Sequence, residues 1–339
     1  MVPEQDAAAT EPPVDVFLSG LLFLDIVFTG LDSPPVPGTE VWAKGLGSGP
    51  GGIANFAVAL RRLGLTTSLA AALGADVPGD LCRRALEAEG VDLARSRRID
   101  GWSTPVTVAL PSDGDRALVT YGEPSPVTQD ELVGDPPPSR AVLVHLAPDS
   151  GRWIARSHAH GSLVFADVGW DPSQRWLPEL LEHLDSCHAF LPNADEAMGY
   201  TRTDSPAAAL ARLADLVPLA VVTMGRDGAI AVDGATGESA SAPGLTVDVV
   251  DTTGAGDVFG AGLTAATLAG WPLAERLRFA VLTSALSLQR PGGGSAAPGW
   301  PEIAAWWRTV RDAGEAALRR EYGFLDEVIP ADERWEQWN

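Results

Sequence analysis

Asp251-Thr252-Thr253-Gly254-Ala255-Gly256-Asp257, continuing as Val258-Phe259-Gly260-Ala261-Gly262-Leu263, is the stretch on which the reading of this chain turns. Small residues at 254 to 256 let the backbone approach a ligand closely, and the apolar, alanine-rich run through Ala269 predicts a helix starting there. A helix start leaves amide N–H groups without intrahelical partners and carries the positive end of the helix dipole. Such an end holds a phosphate, or the charge spread over a phosphoryl group in transit. Asp257 falls in the first turn, where the dipole favours its ionised form and it can accept a hydroxyl proton. The plainer alternative is that Asp257 only supports the helix start. The stretch alone leaves both readings open.

A second glycine-rich segment lies far upstream. In Pro50-Gly51-Gly52-Ile53-Ala54-Asn55-Phe56-Ala57 a glycine pair precedes a helix running to Arg62. Asn55 offers donors and an acceptor, which suits a polyhydroxylated ligand. Between and beyond these segments, short apolar runs (16–28, 68–72, 141–146, 162–166, 188–191 and 220–223) predict strands. They alternate with helical stretches beginning near Ala54, Val77, Thr128, Gly151, Gln174, Asp195, Pro206, Gly254, Pro272 and Pro301. This alternation is that of an α/β fold with a mostly parallel sheet and helices on both faces. Residues 29–49 and 96–121 break it. The second stretch reads as a hairpin turning at Ser112-Asp113-Gly114-Asp115, since Asp-Gly suits a tight turn. Both stretches fit a small β-sheet lid, and equally a pair of surface excursions.

Composition narrows the function classes. The chain has 339 residues and 45% hydrophobic content, enough for one large core without requiring a second domain. Lys plus Arg is 24 against 45 for Asp plus Glu, a formal charge of -21 that repels nucleic acid and anionic membranes alike. Lys44 is the only lysine, so no Gly-Lys-Ser/Thr phosphate loop exists. Cys82 and Cys187 give neither a metal spacing nor a disulfide framework and read as buried thiols in a reducing cytoplasm. Residues 1–13 carry acids but no Lys or Arg and read as a loose tail, not a signal peptide. The apolar run 14–28 contains Asp15 and Asp25 and is shorter than the roughly 20 residues of a membrane span. His145, His158, His160, His183 and His188 show no metal-binding spacing.

Taken together, the two glycine-rich segments make the chain resemble the ribokinase-like, PfkB-type family of carbohydrate and nucleoside kinases. The stretch 251–264 matches the family's C-terminal signature, and Asn55, Ala57, Gly64 and Gly74 match its N-terminal one. The resemblance covers about 15–302 and implies a three-layer α/β/α sandwich with a small β lid. Residues 14–313 would then be one domain, with the lid drawn from about 29–49 and 96–121, and 314–339 a C-terminal extension carrying Trp335 and Trp338. The family often dimerises through lid strands. Val41, Trp42, Val106 and Val108 suit that, or the ligand-facing side of a monomer's lid.

By the same resemblance, Asp257 is the catalytic base and Gly254, Ala255 and Gly256 form the anion hole. Asp25 with Gly51, Gly52 and Asn55 would hold sugar hydroxyls; a carboxylate accepts two hydroxyl hydrogen bonds at once. Asn193, Thr223, Gly225, Gly228 and Gly292 would border the nucleotide, ATP. Glu196 would meet its Mg²⁺ through water, and Asp251 with Thr253 are candidates for a monovalent-cation (K⁺) site. Read without the family, Asn193 is a helix cap.

The sequence departs from the family pattern at Pro50 and Ile53, where the resemblance places the sugar's border, and at Asp167-Val168-Gly169-Trp170-Asp171. The expected reaction is ATP-dependent phosphorylation of an unphosphorylated sugar or sugar acid. The alternatives are a nucleoside kinase, a sugar-phosphate kinase and a non-catalytic binder on the same fold. A sugar phosphate would call on Lys44, Arg95, Arg97, Arg98 or Arg116, and Arg116, just after the hairpin turn, is expected to face solvent.

Overall fold

The computed structural model describes residues 14–112, 115–169 and 174–330. The 1–13 tail, the turn residues Asp113 and Gly114, Trp170 and Asp171, and Trp335 and Trp338 therefore lie outside the described residues. The strands are β1 (Val14–Ser19), β2 (Leu22–Thr29), β3 (Gly45–Gly52), β4 (Thr67–Ala70), β5 (Ala72–Gly74), β6 (Arg97–Ile99), β7 (Val106–Ser112), β8 (Asp115–Tyr121), β9 (Ser139–His145), β10 (Leu163–Asp167), β11 (Ala189–Phe190), β12 (Leu219–Thr223), β13 (Ala229–Asp233) and β14 (Ser239–Ala242). The helices are α1 (Ile53–Arg62), α2 (Val77–Ala88), α3 (Gln129–Val133), α4 (Gly151–Ala159), α5 (Ala194–Thr201), α6 (Pro206–Leu213), α7 (Ala255–Leu268), α8 (Leu273–Ser287), α9 (Trp300–Ala313), α10 (Ala316–Tyr322) and α11 (Leu325–Val328).

The central sheet runs β14-β13-β12-β11-β10-β9-β1-β4. Its strands are parallel from β12 to β4, with β13 and β14 antiparallel at one edge. Side chains alternate across it, as the pleat requires. In β1, Val16 and Leu18 join a core with Phe56 of α1, Leu263 of α7 and Leu277 of α8. Phe17, between them, faces the opposite core with Trp153 of α4, Ala197 of α5 and Leu210 of α6. These are the three layers of the fold. A third cluster joins Phe279 of α8 and Trp307 of α9 to Tyr322 and Leu325, so α10 and α11 close over the body.

The apolar run read as one strand over 16–28 is two strands in two sheets. The chain leaves the central sheet after Ser19, whose Oγ donates to the Ala70 carbonyl at 3.0 Å, and β2 begins a second sheet in the order β3-β2-β7-β8. The lid therefore starts at Leu22, earlier than expected, and Asp25 stands on a lid strand. In register, Asp25 pairs with Gly49 and Thr107, while Leu24 and Ile26 pair with Val106 and Val108 on the other face. Val106 and Val108 thus face away from the side that carries Asp25. The exposed apolar residues of the lid include Trp42, Leu46, Val119 and Tyr121. The helix expected from Gln174 does not form; Gln174 and Trp176 have φ of 51° and 47°, and a 3-10 helix spans Pro178–Ser186.

Open α/β sheets hold ligands beyond the carboxyl ends of the strands, where the strand order reverses. Here β1 lies between β4 and β9, so that crevice opens past Ser19 and His145. The lid hangs over the same edge. Among the described residues no helix is long and apolar enough to cross a membrane.

Candidate active site

The floor of the crevice is the start of α7. Gly254 caps it with φ 70°, in the left-handed region that glycine adopts without strain. Helix geometry leaves the amides of Ala255, Gly256 and Asp257 without i−4 partners inside the helix, and Gly256 is exposed to solvent. Asp257 is held at this end. Its Oδ2 accepts a hydrogen bond from Asn55 Nδ2 at 2.7 Å, and its Oδ1 lies 3.6 Å from His145 Nε2. The glycine-rich loop after α8 closes one side: Gly294 N donates to Asn55 Oδ1 at 2.7 Å, and Gly292 N to Asp251 Oδ2 at 2.9 Å. The other Asp251 oxygen accepts from Thr253 N at 2.9 Å. Asp251 therefore pins the loop to the segment leading into α7.

The lid supplies the roof. Asp25 is buried beside Gly51, where a Cβ would come within 2.2 Å of its Oδ2. Only glycine leaves room for that carboxylate. Burial, reinforced by the nearby Asp257 and Asp251 charges, pushes the Asp25 carboxyl up to about 7, against the opposing pull of Arg116. Gly47 and Gly49 bring β3 against the glycine-rich loop; a Cβ at either would lie 3.2 Å from Gly292 N or 2.8 Å from Ser295 Oγ.

Arg116 does not face away from the crevice. Its Nη1 donates to Thr252 Oγ1, and its Nε is buried without a partner among the described residues. The pairing of Pro111 with Arg116 and of Thr107 with Thr120 puts Arg116 on the Asp25 face of the lid. A two-residue Asp-Gly turn would have given this register from the sequence, so the signal was present.

On the far side, Asn193 caps α5 reciprocally with Glu196. Asn193 Oδ1 accepts from Glu196 N at 3.0 Å, and Glu196 Oε2 from Asn193 N at 2.9 Å. Asn193 is bridged to Thr223 at the end of β12, and Gly225 and Gly228 follow with φ of 56° and 88°. Burial raises Glu196 to about 7, although its bond from the Asn193 backbone pulls the other way. Asp167, at the end of β10, is pushed well above the usual carboxylate range by burial and by the Glu196 and Asp257 charges. His145, Asp167 and Asp257 offer ligand atoms all within 4.8 Å of one another. This crowd of mutually repelling carboxyls fits a divalent cation, with Glu196 at its rim. His145 and Asp167 were not picked out as site residues by sequence. The available signals were their place at the carboxyl ends of two predicted strands and, for Asp167, its place at the start of the segment that departs from the family pattern.

Ile53 is fully buried, close enough to Gly20 that a Cβ there would lie 3.0 Å from its own. Its departure from the family pattern is packed into the core beside Gly20 and His145. Thr253 Oγ1 is buried without a partner among the described residues.

The chain is also similar to known proteins. The model of the pfkB family carbohydrate kinases matches residues 32–300. An ATP-dependent ribose-1-phosphate kinase of Halopiger xanaduensis is 32% identical over 261 residues, 74% of this chain and 83% of that protein. A nucleoside kinase of Methanothermobacter thermautotrophicus is 29% identical, over 77% of this chain and 85% of its own. The solved structure of Arabidopsis thaliana ribokinase complexed with ribose and ATP is similar with a TM-score of 0.71 and 26% identity, covering 85% of this chain and 96% of that one.

Proposed function

The chain belongs to the PfkB family of carbohydrate kinases, phosphotransferases with an alcohol acceptor, and from that premise we propose that it uses ATP to phosphorylate a hydroxyl of an unphosphorylated sugar or sugar acid. The observation that carries the reading is a carboxylate, Asp257, held by Asn55 at the amide end of α7. The Asp257 carboxylate accepts the hydroxyl proton while the acceptor oxygen bonds to the γ-phosphorus and the bond to the ADP oxygen breaks. The amides of Gly254, Ala255, Gly256 and Asp257 donate to the phosphoryl oxygens, where charge gathers. Asp25, with the backbone at Gly51 and Gly52, receives the acceptor's other hydroxyls, and the lid excludes water as a competing acceptor. Asn193, Thr223, Gly225, Gly228 and Gly292 border the nucleotide.

Glu196 would hold Mg²⁺ through water, with Asp167, Asp257 and His145 close by. The ion supplies neutralisation of the triphosphate charge, which a crevice this acidic needs. Asp251 and Thr253, with the loop 291–294, are assigned to a monovalent cation such as K⁺; the unpartnered Thr253 Oγ1 supports this. We assign the protein to the cytoplasm, and a lid-to-lid homodimer would cover the exposed Trp42, Leu46, Val119 and Tyr121.

One observation bears on the substrate. Arg116 brings a guanidinium with a buried, unpartnered Nε to the Asp25 side of the crevice, which favours an acceptor bearing an anionic group. A sugar acid satisfies this. A sugar phosphate is the second reading, the chemistry of the ribose-1-phosphate kinase to which the chain is similar.

The test is ADP release over a panel of neutral sugars, sugar acids, sugar phosphates and nucleosides. Asp257→Asn should lower turnover by about 10²–10⁴-fold while ATP binding persists. Near-wild-type turnover in that variant would remove Asp257 as the base. Arg116→Ala should lower kcat/KM for the anionic acceptor by about tenfold or more relative to its neutral analogue. Equal losses for both would instead assign Arg116 to the phosphoryl group.

A further inference from the structure

Strand β2 has two faces of different chemistry. Leu22 and Leu24 belong to the core cluster shared with α1 and α7, and Ile26 packs against it. Phe23 lies between the two leucines and, among the described residues, joins none of the three hydrophobic clusters. The pleat puts it on the opposite face, with Asp25. That face looks into the crevice, where the Asp257 and Asp251 charges act on Asp25.

The glycine pair sets the place of the ring. Phe23 pairs in register with Gly51. A Cβ at Gly51 would stand 2.7 Å from Phe23 Cε2 and 2.2 Å from Asp25 Oδ2, and one at Gly52 would stand 2.9 Å from Phe23 Cε1. The ring therefore lies across the Gly51–Gly52 peptide, beside the Asp25 carboxylate. A half-buried phenyl ring that packs into no core and borders a buried carboxylate has the character of a pocket lining, apolar surface with a few placed polar groups. A sugar closed into a ring carries hydroxyls around its rim and C–H groups on one face. Those slightly positive C–H groups settle on the negative face of an aromatic ring, while the rim hydroxyls reach a carboxylate beside it. An open chain presents no such flat face. We infer that Phe23 is a specificity-determining residue whose ring takes the C–H face of the acceptor, so that the enzyme selects a sugar acid closed into a ring over an open-chain one. This rests on the proposed acceptor site, with Asp25 on the hydroxyls and Arg116 on the anionic group.

The test compares two series of anionic acceptors on the full-length enzyme by ADP release: methyl glycosides of uronic acids, whose ring cannot open, and aldonates, which are open chains. The wild type should turn over the ring series with the higher kcat/KM. Phe23→Ala should lower the ring-to-chain ratio of kcat/KM about tenfold, the scale of one ring stacked on an aromatic side chain. The change should fall on KM, because the contact is the same before and during phosphoryl transfer. Phe23→Tyr keeps the aromatic face and should keep the ratio. Phe23→Leu keeps apolar bulk without that face and should lose most of the ratio, which keeps the test decisive if the alanine variant fails to fold. A ratio unchanged in both Phe23→Ala and Phe23→Leu, or a wild type that prefers the aldonates, would overturn the proposal. Asp25→Asn separates the two levels: it should raise KM for both series, and no change in either removes the acceptor site itself. Turnover of neither series removes the sugar-acid reading, and the proposal with it.

Discussion

Gly254→Ala is the sharpest single perturbation of this site, because its consequences follow from two measurable features of one residue. Gly254 has φ 70°, and an alanine held there costs about 1–2 kcal/mol in backbone strain. Its Cβ would also meet Asn55 Nδ2 at 2.9 Å, Asn55 Cγ at 3.1 Å and Gly293 Cα at 3.2 Å, so the neighbours must give way by a few tenths of an ångström. Together these should destabilise the fold by about 1–3 kcal/mol, lowering the thermal midpoint by about 1–4 °C in a protein of this size. The forced movement falls on the Asn55–Asp257 hydrogen bond and on the amides of the helix start, where a misplacement of about 1 Å costs about 10²-fold in rate. The control lies two residues on. Gly256 does not have positive φ, and a Cβ there meets nothing within 4 Å. Gly256→Ala should therefore keep the midpoint or raise it, by up to about 1 kcal/mol of helix propensity. Scanning calorimetry and steady-state ADP release on both variants give the answer. Equal midpoints for the two variants, or a Gly254→Ala enzyme with wild-type kcat, would refute the reasoning.

Two further outcomes are expected. Asp25 and Glu196 are both raised to about 7, so as pH falls through that value they lose their charge; kcat/KM for the acceptor should decline about tenfold per unit for each of the two, up to about a hundredfold together, and a pH–rate profile flat to pH 5 would contradict this. The stability linkage has the opposite sense: between about pH 4 and 7 the folded state binds more protons at these groups than the unfolded chain does, so their contribution to stability grows as pH falls. Asp25→Asn should flatten part of that rise, measured as thermal midpoints at pH 5.5 and 7.5. Leu325→Ala removes a fully buried side chain from the cluster around Tyr322 and Trp307 and should cost about 2–5 kcal/mol while kcat stays unchanged, which urea unfolding and an activity assay would check.

Much of the molecule was legible in the sequence because the features concerned are local. The start of α7 follows from three small residues before an apolar run, the cap of α5 from Asn193 with Glu196, and the parallel sheet from the alternation of short apolar runs with helical stretches. Each is written in the backbone preferences and periodicity of a few consecutive residues. The lone lysine likewise excluded a lysine-bearing phosphate loop, and the helix end at Gly254 to Asp257 is where the chain offers backbone amides instead.

What the tertiary structure alone decided is which distant residues meet. The run 16–28 contains two strands because Ser19 is held beside Ala70 in one sheet while Leu22 pairs with Gly52 in the other. Within the run only Ser19-Gly20 marks a break, and which sheet each half joins is set by these remote partners. That change of sheet carries Asp25 into the lid. His145 and Asp167 reach Asp257 because β9 and β10 end at the same crevice. Asn55, chosen from sequence for its hydrogen-bonding groups, has those groups directed to Asp257 and Gly294 by the packing of α1 against α7 and the loop that follows α8. Residue type along the chain fixed which chemistry was available; pairing register and helix packing, which act through space between remote segments, fixed which groups share a site.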